Sequence, residues 1–178
     1  MLNERVIVGP FQCNCRILIC PVTGEAALID AGDDAPKIIE KLNLLQGPDQ
    51  KPITLKWLLH THGHLDHIGA TRKVHEKTKA QIALHRGDEF IYNMLQEQGK
   101  LFGFSYDAPT PVQHFLEHEE EIKVGEIKLT VIHSPGHSPG SVGFRLHENS
   151  NIGAKETLFS GDTLFQGSVG RTDLWGAD

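Results

Sequence analysis

The sequence predicts an α/β fold with many strands. Short β-branched or aliphatic runs alternate with helix-period segments, Gly and Pro punctuate the junctions, and one apolar run ends directly in a cluster of histidines. Residues 5–8, 15–20 and 25–30 read as strands, separated by Gly9-Pro10 and by the turn residues 21–24. Asp33 and Asp34 before Ala35-Pro36 predict a helix start, with an acidic cap and a proline in the first turn. Ile38, Ile39, Leu42 and Leu45 continue that helix at its own spacing, and Gly47-Pro48 ends it. Residues 55–59 read as a buried strand, 67–79 as a helix, 81–84 as a strand and 88–98 as a helix. Residues 100–111 carry Gly, Pro and aromatic side chains and read as an irregular loop. Residues 121–124, 126–133, 141–146 and 157–160 complete the strands.

With 178 residues the chain has room for one domain, 1–178, with a sizeable core. A net charge of -6 gives it no attraction for a nucleic-acid backbone or an anionic membrane, and no apolar run approaches the ~20 residues that span a bilayer. Residues 1–5 lack a basic segment leading into an apolar core, so the expectation is a cytoplasmic chain without a secretory signal. Cys13, Cys15 and Cys20 make an odd count, which fits reduced thiols. Cys13 and Cys15 could bind a soft metal, but their apolar strand-like setting favours buried thiols packing as small hydrophobes.

The segment His60-Thr61-His62-Gly63-His64-Leu65-Asp66-His67 carries the chemistry. In extended chain, residues two apart face the same side, so His62 and His64 can converge on one ion. A helix beginning near Asp66 would set that carboxylate at its positive end, with His67 in the first turn. Imidazole nitrogens and carboxylate oxygens suit Zn, Fe and Mn. His60 reads as a core or surface residue. Two further strand tips offer donors: Pro135-Gly136-His137 after an apolar run, and Gly161-Asp162-Thr163 after another. The histidines at 75, 85, 114, 118, 133 and 147 lack mutual spacing and read as ordinary surface or core residues.

Taken with Leu28-Ile29-Asp30-Ala31-Gly32 and Gly161-Asp162-Thr163-Leu164-Phe165, these motifs resemble the metallo-β-lactamase superfamily, in its glyoxalase II-like branch. The resemblance covers essentially the whole chain. It implies an αββα sandwich with two divalent metal ions at one edge, Zn first among them and Fe or Mn the alternatives. It implies that His62, His64 and His137 ligate the first metal, Asp66 and His67 the second, and that Asp162 bridges them. Asp30 matches an aspartate that orients the metal-binding loop. The family's fold continues with a further strand and helix and a further histidine, which this chain does not contain. The expectation is a shortened form of a longer protein; the competing reading is an incomplete second site.

The implied reaction is hydrolysis of a small-molecule thioester, such as an acylglutathione, by a metal-bound hydroxide, with Asp66 and Asp162 as candidates for proton transfer. Arg171, in Gly170-Arg171-Thr172-Asp173-Leu174, could meet an anionic substrate or simply pair with Asp173. Persulfide dioxygenases of the same superfamily share a Gly-Arg-Thr-Asp loop, and His62, His137 and Asp162 would match their single-iron ligands. A metal-binding protein without activity is the third reading. Nothing in the sequence sets the oligomeric state.

Overall fold

The structure, a computed structural model, describes residues 1–173. Leu174 and residues 175–178, at the end of the Gly170 segment, lie outside the described residues.

The chain opens with strands β1 (Leu2–Val8), β2 (Cys13–Ile19) and β3 (Glu25–Ile29), then helix α1 (Ala35–Leu44) and β4 (Thr54–Leu59). Helices α2 (Leu65–Ile68) and α3 (Thr71–Thr78), strand β5 (Gln81–His85), helices α4 (Glu89–Asn93) and α5 (Leu95–Leu101) and the short β6 (His114–Leu116) follow. The last part is mostly strand: β7 (Glu121–Val124), β8 (Ile127–His133), β9 (Val142–Leu146), β10 (Thr157–Phe159), β11 (Leu164–Phe165) and β12 (Ser168–Val169), with 3-10 turns at Ser150–Ile152 and Gly161–Thr163.

Strands β1 to β6 form one sheet in sequence order, antiparallel from β1 to β3 and parallel from β3 to β6. Strands β10-β9-β8-β7 form a second, antiparallel sheet, and β11 pairs with β12. The strand alternation explains the stacking. In β2, Ile17 and Ile19 face the helices with Ile38, Leu42 and Val74, while Leu18 faces the second sheet with Leu129, Val131 and Phe144. The first sheet is thus buried on both faces, as its parallel half requires. In the second sheet Leu129 and Val131 are buried while Lys128 is exposed. These residues build an α/β sandwich of a helix layer and two packed sheets.

Several local expectations are corrected. The helix expected at residues 67–79 is two, because Ala70 N–H donates to Ala31 O (2.9 Å) and so turns the chain toward the tip of β3. Gly69 sits against the Gly32 carbonyl and the Tyr106 ring, where a Cβ would not fit. The helix expected at 88–98 is divided at Met94 and runs on to Leu101. Asp34 stands at the start of α1, but its carboxylate accepts Gly9 N–H (2.9 Å) instead of capping the helix. Strand β6 was not expected, since it has only three residues and no clear alternation, and His114 in it pairs with Glu120 at 2.6 Å. All three cysteines are free and buried, and burial pushes the Cys13 and Cys15 thiols up. Among the described residues no helix is long and apolar enough to cross a membrane.

Candidate metal centre

The parallel strands β3, β4 and β5 end along one edge, where an open α/β sheet offers its crevice. Asp30 follows β3, His60 to His64 follow β4, and Asp88 follows β5. The second sheet brings His137 from the β8–β9 turn and Asp162 from a 3-10 turn after β10.

Two groups of donor atoms result. His62, His64 and His137 form one, and His62, His67 and Asp162 form the other; within each group the atoms lie within 4.8 Å of one another. His62 belongs to both. His64 Nδ1 is 2.9 Å from His137 Nε2, and His137 Nε2 is 3.2 Å from His62 Nε2. One oxygen of Asp162 lies 3.3 Å from His67 Nε2 and the other 3.9 Å from His137 Nε2, so this carboxylate faces both groups. Asp66 stands at the edge, its Oδ2 3.5 Å from His67 Nε2 and outside both groups.

The protons on these rings follow from their partners. Thr61 Oγ1–H donates to Asp30 Oδ2 (2.9 Å), so His62 Nδ1–H donates to Thr61 Oγ1 (3.0 Å) and the His62 Nε2 lone pair points inward. His137 Nδ1–H donates to Arg171 O (2.9 Å), which likewise frees Nε2. His67 Nδ1–H donates to Asp30 Oδ2 (3.0 Å). His64 Nε2 is buried with no partner, while its Nδ1 joins the other two inward atoms. Lone pairs facing each other at hydrogen-bond distance repel unless a cation lies between them. The donor set therefore fits a divalent ion of the Zn, Fe or Mn type.

Electrostatics favours a neutral His62 and a neutral His64. Burial, reinforced by the surrounding imidazoles, holds His62 well below its usual value and His64 down to about 4. For His67, burial opposes the charge, but the neighbouring Cys13 sulfur and the Asp30 and Asp162 carboxylates outweigh it and raise the imidazole well above its usual value. Burial likewise works against the Asp162 anion, and contact with His67 overcomes that and lowers its pKa.

These shifts predict an acid-sensitive metal-free fold. Burial also holds His60 down to about 4. Between pH ~6.5 and ~4 the unfolded chain binds protons that folded His60 and His64 exclude, so stability is lost as pH falls through that window. His67 acts in the opposite sense, but it is charged in both states over most of the window and does not mask the loss. The melting temperature of chelator-treated protein should fall steadily from pH 6.5 to 4; a flat or rising curve would contradict the assignment.

The structure adds residues that the motifs did not reveal. His60 is fully buried; its Nδ1–H donates to His67 O (3.2 Å) and its Nε2 accepts from Thr71 Oγ1–H (3.1 Å). Asp88 and Gln98 are buried and bind the backbone of the histidine loop. The position of Asp88 just past a strand tip was the available signal, parallel to that of Asp30. The Arg171 guanidinium is paired with Asp173 at 2.6 and 2.8 Å, so its contact with the centre is through its carbonyl. Above the centre lies a cleft of about 620 Å³, with His64, Asp66, His137 and Asp162 at its floor. Phe11, Leu101, Phe102, Phe165 and Val169 form an apolar wall.

The chain has known relatives over nearly its whole length. A family model for the metallo-beta-lactamase superfamily matches residues 8–178. The chain is 38% identical over 173 residues to hydroxyacylglutathione hydrolase GloC of Haemophilus influenzae, covering 96% of this chain and 76% of that protein. The solved BLEG-1 B3 metallo-beta-lactamase superposes with a TM-score of 0.82 at 34% identity, covering 99% of this chain and 79% of its own. TTHA1623, solved in a di-iron-bound form, gives 0.78 at 34% identity, with coverage of 98% and 79%. The fold, the matched family model and these relatives together establish that the chain belongs to the metallo-beta-lactamase superfamily.

Proposed function

We propose that the protein is a metal-dependent hydrolase that cleaves a small-molecule thioester, of which an acylglutathione is the leading case. The observation that carries this reading is the pair of donor clusters sharing His62, with Asp162 facing both at the floor of one cleft. In this reading His62, His64 and His137 hold one ion. His67, Asp66 and Asp162 would hold the second, with the Asp162 carboxylate facing both groups. A bound divalent ion supplies a water whose pKa falls from ~15.7 toward ~7 and a Lewis acid for the substrate carbonyl. Asp66 and Asp162, at the cleft floor, are placed to accept the proton released as water attacks. A thiolate leaves readily, so the chain needs no dedicated acid for the leaving group. The apolar wall suits the uncharged part of a substrate, and Arg171 at the rim can meet an anionic part only by loosening its pair with Asp173.

The glutathione thioester is supported by the name of the Haemophilus influenzae relative. The single-iron dioxygenase reading would make His64 an outer group. His64 Nδ1 stands 2.9 Å from His137 Nε2 among the converging donors, which favours the hydrolase.

Thiol release from S-lactoylglutathione and from acyl thioesters with apolar acyl groups tests the proposal. Metal-dependent thiol release that a chelator abolishes is the expected result. Oxygen uptake with glutathione persulfide and no thioester cleavage would install the dioxygenase, and inactivity of metal-loaded protein on all of them would leave a binding protein.

A further inference from the structure

The centre is held by two loops that are far apart in sequence. One carries His62 and His64 with Gly63 between them, and the other carries His137 followed by residues 138–140. A backbone bond from Val142 N–H to Thr61 O (2.8 Å) joins them at their base. Further along, a single side chain joins them: Asp88, fully buried, accepts Gly63 N–H (2.7 Å), Ser138 Oγ–H (2.7 Å) and Gly140 N–H (2.6 Å). Its two oxygens thus take one donor from the first loop and two from the second.

Gln98, 2% exposed, grips the first loop from the other side. Its Nε2 donates to Gly63 O (3.1 Å) and Ile91 O (2.7 Å), and its Oε1 accepts Leu65 N–H (2.9 Å). Both polar groups of Gly63 are therefore held by buried side chains. The peptide groups flanking Gly63 set the directions in which His62 and His64 project. The fit leaves no slack, since a Cβ on Gly63 would press on the Asp88 carbonyl and the Tyr92 amide.

We infer that Asp88 and Gln98 are positioning residues of the metal centre. Asp88 fixes the distance between the two histidine loops, and Gln98 fixes the orientation of the loop that carries His62 and His64. Neither offers an atom to the metal; each acts through backbone that it binds. The inference rests on the reading of the histidine clusters as metal ligands.

The test is Zn²⁺ affinity, measured by competition with a chromogenic chelator, together with the visible absorption of the Co²⁺-loaded chain. Asp88→Asn keeps one acceptor oxygen but turns an amide donor toward another donor. Gln98→Met keeps the side-chain length and removes all three bonds. Each is expected to weaken Zn²⁺ binding about 10–100-fold and to alter the Co²⁺ spectrum. Tyr92→Phe is the control, since it removes a bond to Thr110 O (2.7 Å) from the same helical segment without touching the loops. It should lower the melting temperature while leaving affinity and spectrum unchanged. If Asp88→Asn does not fold, Gln98→Met decides. Wild-type affinity and spectrum in the variants would overturn the inference and leave the metal reading standing. An equal loss of affinity in Tyr92→Phe would reduce the effect to general destabilisation and overturn it as well. A wild-type chain that binds neither Zn²⁺ nor Co²⁺ would remove the ligand reading and the inference together.

Discussion

Replacing His62 with alanine is expected to abolish binding at the first cluster and to leave no metal-dependent hydrolysis above background. His62 offers one inward nitrogen, which serves the ion it shares with His64 and His137, so its loss leaves only two donors there. Two donors hold a divalent ion far more weakly than three, because a structural or catalytic site needs at least three protein ligands. His64→Ala should behave in the same way, since it depletes the same cluster. Fold stability separates loss of ligation from loss of structure. A ligand that binds only the folded state stabilises it by ~2.7 kcal/mol at a hundredfold excess over its dissociation constant. Wild-type protein should therefore melt higher with Zn²⁺ than without, and His62→Ala should gain clearly less. A cooperative melting transition of the metal-free variant shows that it still folds. A full wild-type Zn²⁺ shift in His62→Ala would contradict its place in the first cluster.

Asp30→Asn should be the second most damaging change. Asp30 is buried and accepts Thr61 N–H (2.8 Å), Thr61 Oγ1–H (2.9 Å) and His67 Nδ1–H (3.0 Å). It thereby orients His67 directly, and His62 through Thr61. An asparagine has one acceptor oxygen, so its amide must face at least one of these donors. A buried donor left unpaired costs about 1–3 kcal/mol, which should lower the melting temperature of the metal-free chain. Metal affinity should fall about 10–100-fold, as for other outer partners of metal-ligating histidines. The backbone is not the cause, because Asp30 sits at φ 59 and asparagine tolerates that left-handed region as readily as aspartate. Zn²⁺ titration by calorimetry should show the weaker binding, and an unchanged isotherm would contradict the role given to Asp30.

The sequence made the centre legible where donors are local or stand at strand tips. His62, His64, Asp66 and His67 fall within one short segment, and His137 and Asp162 each follow an apolar run and a glycine. Apart from β6, the strands of both sheets were legible for the same reason, since their composition and punctuation are local. What stayed hidden acts through tertiary contacts with backbone. Gln98 looked like an ordinary residue of an amphipathic helix, and Asp88 offered only its place past the tip of β5; nothing in their spacing reports that their side chains turn toward Gly63. His60 looked like a bystander because its partners, His67 O and Thr71 Oγ1, are set by the turn between α2 and α3. That turn was itself missed, because its cause is a bond from Ala70 to the distant Ala31. Arg171 drew attention for its charge, whereas its geometric contribution is a carbonyl oxygen that any residue could supply.

The central claim is that the chain holds two divalent ions side by side, one on His62, His64 and His137 and the other on His67, Asp66 and Asp162. Metal content per chain, measured by mass spectrometry on protein purified without chelators and dialysed against excess Zn²⁺, tests it most directly. The account predicts about two ions per chain, one for each donor group. Protein that retains no ion after this loading would contradict it.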